Sequence, residues 1–148
     1  MKIVKRFIYF AFLVSLFFVT GCGSLKTLTC YSEDVVGETT LTKQNFVLKF
    51  RNDKIYSLTF SIDVALDGST IDTSETLENK VSDTFKNYQN VSGIDYSSNI
   101  QENRYAVNIK IDFDKLDEAE KEKISLINYE STYEEIKTEF ENGGFNCK

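Results

Sequence analysis

Between Tyr56 and Leu66 an apolar side chain stands at every second position. Tyr56, Leu58, Phe60, Ile62, Val64 and Leu66 form one face, and Ser57, Thr59, Ser61 and Asp63 form the other. A period of two is the signature of a strand. One greasy face and one wet face restrict the sheet further, to an antiparallel sheet covered on a single side.

The same period recurs along the chain. Phe46, Leu48 and Phe50 alternate with Val47, Lys49 and Arg51, and Asn52-Asp53 supplies the turn of a tight hairpin into the Tyr56 strand. Upstream, Thr27 to Tyr31 favours extended backbone, Asp34 to Gly37 reads as a turn, and Thr39 to Thr42 adds to a second strand. Downstream, Ile94, Tyr96, Ser98 and Ile100 alternate, Gln101 to Asn103 turns the chain, and Tyr105, Val107, Ile109, Ile111 and Phe113 alternate without a miss. These two runs predict a second hairpin.

Helical spacing appears between and after the hairpins. Asp67-Gly68 breaks the long strand, and Asp72 with Glu75 resembles a capping box. Leu77, Val81, Phe85 and Tyr88 then place an apolar stripe on one helix face, and Ser92-Gly93 closes the connection. Asp114 to Ile127 predicts a charged helix with a thin stripe of Leu116, Ala119, Ile124 and Ile127. Ser131 and Glu134 form a second capping-box pattern ahead of Tyr133, Ile136 and Phe140, and Gly143-Gly144 stops that helix. The predicted class is α+β, an antiparallel sheet of about five strands packed on one face by two to three helices.

The N-terminus carries an address. Lys2, Lys5 and Arg6 precede an almost unbroken apolar run from Phe7 to Val19, and Val19-Thr20-Gly21-Cys22 follows. This pattern resembles a bacterial lipobox. Positive charge holds the start of the segment in the cytoplasm, the apolar run enters the bilayer, and small residues fit the signal peptidase. The expectation is a lipoprotein signal peptide over residues 1–21, fatty acylation (diacylglyceryl, palmitate) on Cys22, a linker over 22–26, and a single domain over 27–148. The apolar stretch is at the short end for a retained membrane span. Four residues, Gly23 to Lys26, reach at most about 13 Å, so the domain is expected close to the membrane, outside the cytoplasm.

Charge and cysteine usage fit that place. Lys2, Lys5 and Arg6 are three of the 17 basic residues, so the remainder carries 14 against 23 acids, a net charge of −9. Such a surface repels phosphate backbones and anionic headgroups, so nucleic acid is excluded as a partner and membrane contact falls to the lipid. With Cys22 consumed, Cys30 and Cys147 remain, and an even pair in an exported protein is expected to form a disulfide. The chain has no histidine. That excludes Ser-His-Asp and Cys-His catalysis and the usual imidazole metal sites.

Taken together, the lipobox, the paired N-terminal strands and the junction Tyr88-Gln89-Asn90-Val91-Ser92-Gly93-Ile94 resemble the small YehR-like bacterial lipoproteins, a family of unknown function. The alternating Tyr105 to Phe113 strand and a last helix closing on Gly144-Phe145 extend the resemblance over roughly Lys26 to Phe145. It implies an α+β fold with an antiparallel sheet against helices, and it brings no catalytic residues. The Cys30 and Cys147 pair is not part of that pattern.

Two clusters invite chemistry. Asp112, Asp114, Asp117, Glu118, Glu120 and Glu122 offer oxygen ligands for calcium, but Lys115 and Leu116 interrupt the loop and no glycine permits the sharp turn. They read as a solvated helix start, with no metal and no cofactor expected. Tyr88, Tyr96, Tyr105, Tyr129 and Tyr133 offer amphipathic area for a groove, yet each lies on or beside an apolar stripe and reads as packing. The function expected is a non-enzymatic, lipid-anchored envelope domain that binds a small molecule or a protein. The alternatives are a carboxylate-dependent envelope hydrolase and a structural or surface interaction protein.

Overall fold

The computed structural model describes residues 24–36, 40–66 and 74–148. The leader, Cys22 and the capping-box pattern starting at Asp72 lie outside them. Among the described residues six strands form one antiparallel sheet: β1 (Leu25–Val36), β2 (Thr40–Arg51), β3 (Lys54–Ala65), β4 (Ile94–Gln101), β5 (Arg104–Asp112) and β6 (Asn146–Cys147). Their spatial order is β4-β5-β3-β2-β1-β6. The helices are α1 (Ser74–Thr84), α2 (Glu118–Lys121) and α3 (Tyr133–Asn142), with 3-10 turns at Lys86–Tyr88 and Phe113–Lys115. The fold is α+β. The sixth strand is β6, two residues long and too short to show a period in the sequence.

Register explains the core. Leu28, Leu48, Leu58 and Ile111 are cross-strand partners in one row, and each is fully buried. The next row is Cys30, Phe46, Phe60, Ile109 and Tyr96. Burying one such leucine contributes about 1.5–3 kcal/mol. Phe140 of α3 packs on Phe46 at 4.6 Å, and Phe85, just after α1, lies 6.4 Å from both Phe60 and Tyr96. The helices therefore cover one face only, as the alternation in β3 requires.

The β2–β3 hairpin turns through Asn52 and Asp53 with φ of 53° and 60°. Two successive left-handed residues are a type I′ turn, whose twist suits a two-residue hairpin. Gly93 has φ +89°, and a Cβ there would stand 2.8 Å from the Cβ of Lys115. The glycine lets the start of β4 pass against the 3-10 turn after β5.

Four local expectations change. The β2–β3 ladder shifts register at Lys49–Phe50, so buried Ile55, not Tyr56, stands opposite Phe50, and Tyr56 lies under Arg51 instead. Asp34 to Val36 continues β1, paired with Thr42, Leu41 and Thr40, because β-branched Val35 and Val36 favour extended backbone against a long partner; Gly37 lies outside the described residues. The continuous helix over 114–127 is instead a 3-10 turn and the single turn of α2. Its stripe was too thin to hold a helix on the sheet: of its four apolar residues Ala119 is exposed and only Leu116 and Ile124 are buried. The Ser125 N–H goes to the Tyr88 hydroxyl at 3.2 Å, not to a helical carbonyl. The second capping box sits one residue later than the Ser131 pattern. Thr132 caps α3, accepting from the Glu135 N–H at 3.4 Å, while the Glu135 carboxylate accepts from the Thr132 N–H at 2.8 Å.

Candidate functional site

Because the described helices occupy one face of the sheet, the other is uncovered among the described residues. Two register rows cross it. The first is Tyr31, Asn45, Ser61, Asn108 and Ser97, and the second is Glu33, Lys43, Asp63, Ala106 and Asn99. These ten residues, with Ser32, Gln44, Ile62, Val107 and Ser98 of the row between them, line a trough of 610 Å³. No described helical residue contributes to it, and its two outer rows are those of the open face. Period-two alternation dictates its chemistry, since the residues between core positions are those selected to be wet.

Charges in the trough are paired. Lys43 Nζ lies 3.3 Å from Glu33. Arg104 Nε donates to Asp63 at 2.8 Å, and its Nη2 donates to the second oxygen of the same carboxylate. This fork holds the Asp63 carboxyl below the usual carboxylate range, the hydrogen bond from Arg104 being the main cause. The Asn45, Ser61, Ser97 and Asn108 side chains make no hydrogen bond among the described residues. Tyr31 stands at the β1 side of the trough, 45% exposed.

A second concavity, 480 Å³, opens at the Asn52–Asp53 end between Arg51, Lys54, Tyr56, Glu118, Lys121 and Tyr129. Arg51 pairs with Asp114 at 3.2 Å and lies over the Tyr56 ring, 4.5 Å from its centroid. Lys121 Nζ donates to Glu118 at 2.7 Å, holding that carboxyl down, and Tyr129 donates to the other Glu118 oxygen at 3.4 Å. Burial, then the charge of Glu118, pushes the Tyr129 phenol up. A third, apolar hollow of 290 Å³ lies between α3 and the sheet, lined by Phe46, Leu126, Ile136, Phe140 and Phe145 among others.

The acidic run is absorbed locally. Asp112 pairs with Lys115 at 3.1 Å, Asp114 with Arg51, and Glu118 with Lys121. Asp117 caps α2 by accepting from the Glu120 N–H at 2.7 Å, and Glu120 returns the bond. Among the described residues no three potential ligands gather as a metal set. The tyrosines do not converge either. Tyr88 is buried with its hydroxyl 3.2 Å from Ser125 Oγ, Tyr129 stacks on Phe113 at 6.1 Å, and Tyr133 meets Phe50 edge-on at 5.3 Å. Burial raises the half-buried Tyr105 phenol.

Cys30 and Cys147 are joined, S–S 2.01 Å, in register between β1 and β6. Cys22 lies outside the described residues, and no described helix is long and apolar enough to cross a membrane.

The whole arrangement is similar to two solved structures. The NMR structure of the Escherichia coli YehR protein superposes with a TM-score of 0.57 and 17% identity, over 84% of this chain and 91% of that one. The NMR structure of a protein from Streptococcus pneumoniae TIGR4 gives 0.56 and 11%, over 87% and 88%. The fold is YehR-like. At these identities the likeness is one of fold alone. No protein-family model and no curated protein matches the chain.

The trough residues were not singled out by sequence motifs. Their signal was the polar half of each alternation, and only register brings Tyr31, Asn45, Ser61, Asn108 and Ser97 into one line.

Proposed function

We propose that this protein is a YehR-like envelope lipoprotein, anchored through a lipid on Cys22, which binds a ligand or partner on the open face of its sheet without chemical turnover. The observation that carries the reading is the trough, a concavity in which the amides and hydroxyls of Asn45, Ser61, Ser97 and Asn108 have no partner among the described residues. Among the described residues the carboxyls that the fold perturbs, Asp63, Glu118 and Glu135, are all pushed down and stay ionised, which suits binding better than general-acid catalysis.

The anchor is supported by the lipobox pattern and by where the chain enters the fold. The Asn52 N–H donates to the Ser24 carbonyl at 3.1 Å, tying the start of β1 to the Asn52–Asp53 turn. Cys22 to Ser24 spans at most about 7 Å, so a lipid on Cys22 brings that end to the headgroups. Leu25, 69% exposed, stands beside it. The trough begins at Tyr31, about 23 Å further along β1.

The experiment has two arms. Intact-mass analysis of the membrane-extracted protein is expected to show a lipidated Cys22 as first residue, and Cys22→Ala to abolish fatty-acid labelling. A photo-crosslinker at position 108 in the anchored protein is expected to give a discrete adduct. An unmodified Cys22, or no adduct from the trough, removes the corresponding half of the reading.

A further inference from the structure

We infer that the trough is a site for a neutral oligosaccharide. The inference rests on the proposed binding role of the open face and names the ligand's chemistry.

The chain is acidic, with a net charge of −6, yet the trough is charge-balanced. Its one lining cation, Lys43, is taken up by Glu33, and its other anion, Asp63, by Arg104 from just outside the lining. An anionic ligand finds no unengaged cation there and meets a repelling field outside. A cationic ligand finds both carboxylates already occupied. An apolar ligand has to strip water from Asn45, Ser61, Ser97 and Asn108 and give no hydrogen bond in return, a desolvation that opposes binding. A peptide strand gains little, because the backbone groups of the central strands are already spent on their neighbours; strand addition works at edges.

A polyhydroxylated, uncharged chain meets none of these objections. Each asparagine amide carries donors and an acceptor, and each serine hydroxyl does both, matching sugar hydroxyls that also do both. Tyr31, 45% exposed at one end of the row, offers an aromatic face for the C–H side of a pyranose ring. The row from Tyr31 to Ser97 crosses five strands, a span of about 19 Å, which suits an oligosaccharide over a single sugar.

The test is calorimetric titration of the full chain in phosphatidylcholine nanodiscs with maltohexaose, cellohexaose and chitohexaose, and with oligogalacturonate as the anionic comparison. Saturable binding of at least one neutral hexamer is expected, with no binding of the anionic one. Tyr31→Ala is expected to weaken that binding about tenfold, and Asn108→Asp, which places an unpaired charge on the floor, to weaken it as well. Both positions are exposed, and unchanged melting of each variant separates lost binding from lost fold. The inference is overturned if none of the neutral hexamers binds, or if both variants bind them like the parent. Should the sugars fail while the crosslinker at position 108 still yields an adduct, the open face binds something else and only the glycan assignment falls. If both fail, the binding role falls with it.

Discussion

Cys30 on β1 and Cys147 on β6 face each other at a Cα–Cα distance of 4.1 Å, directly beside a pair, Thr29 and Lys148, that exchanges both of its backbone hydrogen bonds at 2.9 Å. Neighbouring pairs in an antiparallel ladder alternate, so Cys30 and Cys147 occupy the pair without hydrogen bonds, where side chains approach most closely. The bond therefore fastens a two-residue strand whose register is otherwise held by the Thr29–Lys148 pair. It also sets the C-terminus beside the first strand of the fold.

Removing that bond should be costly. The closed loop has a sequence separation of 117. On the chain-entropy account, a loop of that length stabilises by about 4–5 kcal/mol. The paired variant Cys30→Ala/Cys147→Ala is expected to lower stability in urea by about that amount, with β6 and the end of α3 losing amide protection first. A change below about 1 kcal/mol would show that the edge is held by packing alone.

The cap of α3 separates two neighbouring sequence patterns. Thr132, not Ser131, makes the reciprocal bonds with Glu135. Thr132→Ala is expected to cost about 1 kcal/mol, and Ser131→Ala close to nothing. Chemical denaturation of the two variants distinguishes them, and equal losses would contradict the observed cap.

What the sequence disclosed, and what it withheld, follows from the range of the interactions involved. The long strand was legible because Tyr56 to Leu66 alternates over eleven positions, and the Asn52-Asp53 turn because both residues tolerate left-handed backbone. Residues 114–127 misled because charge and a few apolar side chains imitate a helix when tertiary partners are unknown. Phe113, Leu116 and Ile124 join one core without a continuous helix between them. The capping box slipped by one because Ser131-Thr132 and Glu134-Glu135 offer two overlapping matches. The trough was not legible at all. It exists only once Tyr31 is set opposite Asn45, and Asn45 opposite Ser61, and pairing between distant strands is not written locally.

The Asp63–Arg104 fork should leave a mark on acid stability. Hydrogen bonding from Arg104 lowers the folded-state pKa of Asp63 below its unfolded value, so below about pH 4 the unfolded chain binds the proton more readily. The stabilisation is fully present above that pH and is lost as pH falls toward the lowered folded value. Asp63→Asn is expected to flatten the stability profile below about pH 4 and to leave its shape above pH 5 unchanged. An identical acid limb in the variant would mean that the fork does not contribute.

The central claim is that the open face of the sheet is where this protein meets its ligand while anchored at the membrane. The most direct measurement compares a photo-crosslinking residue at position 108, on the trough floor, with one at position 83, exposed on α1, in intact cells. The account predicts a discrete, saturable adduct from position 108 and none above background from position 83. Equal yields from both positions, or an adduct from position 83 alone, would contradict it.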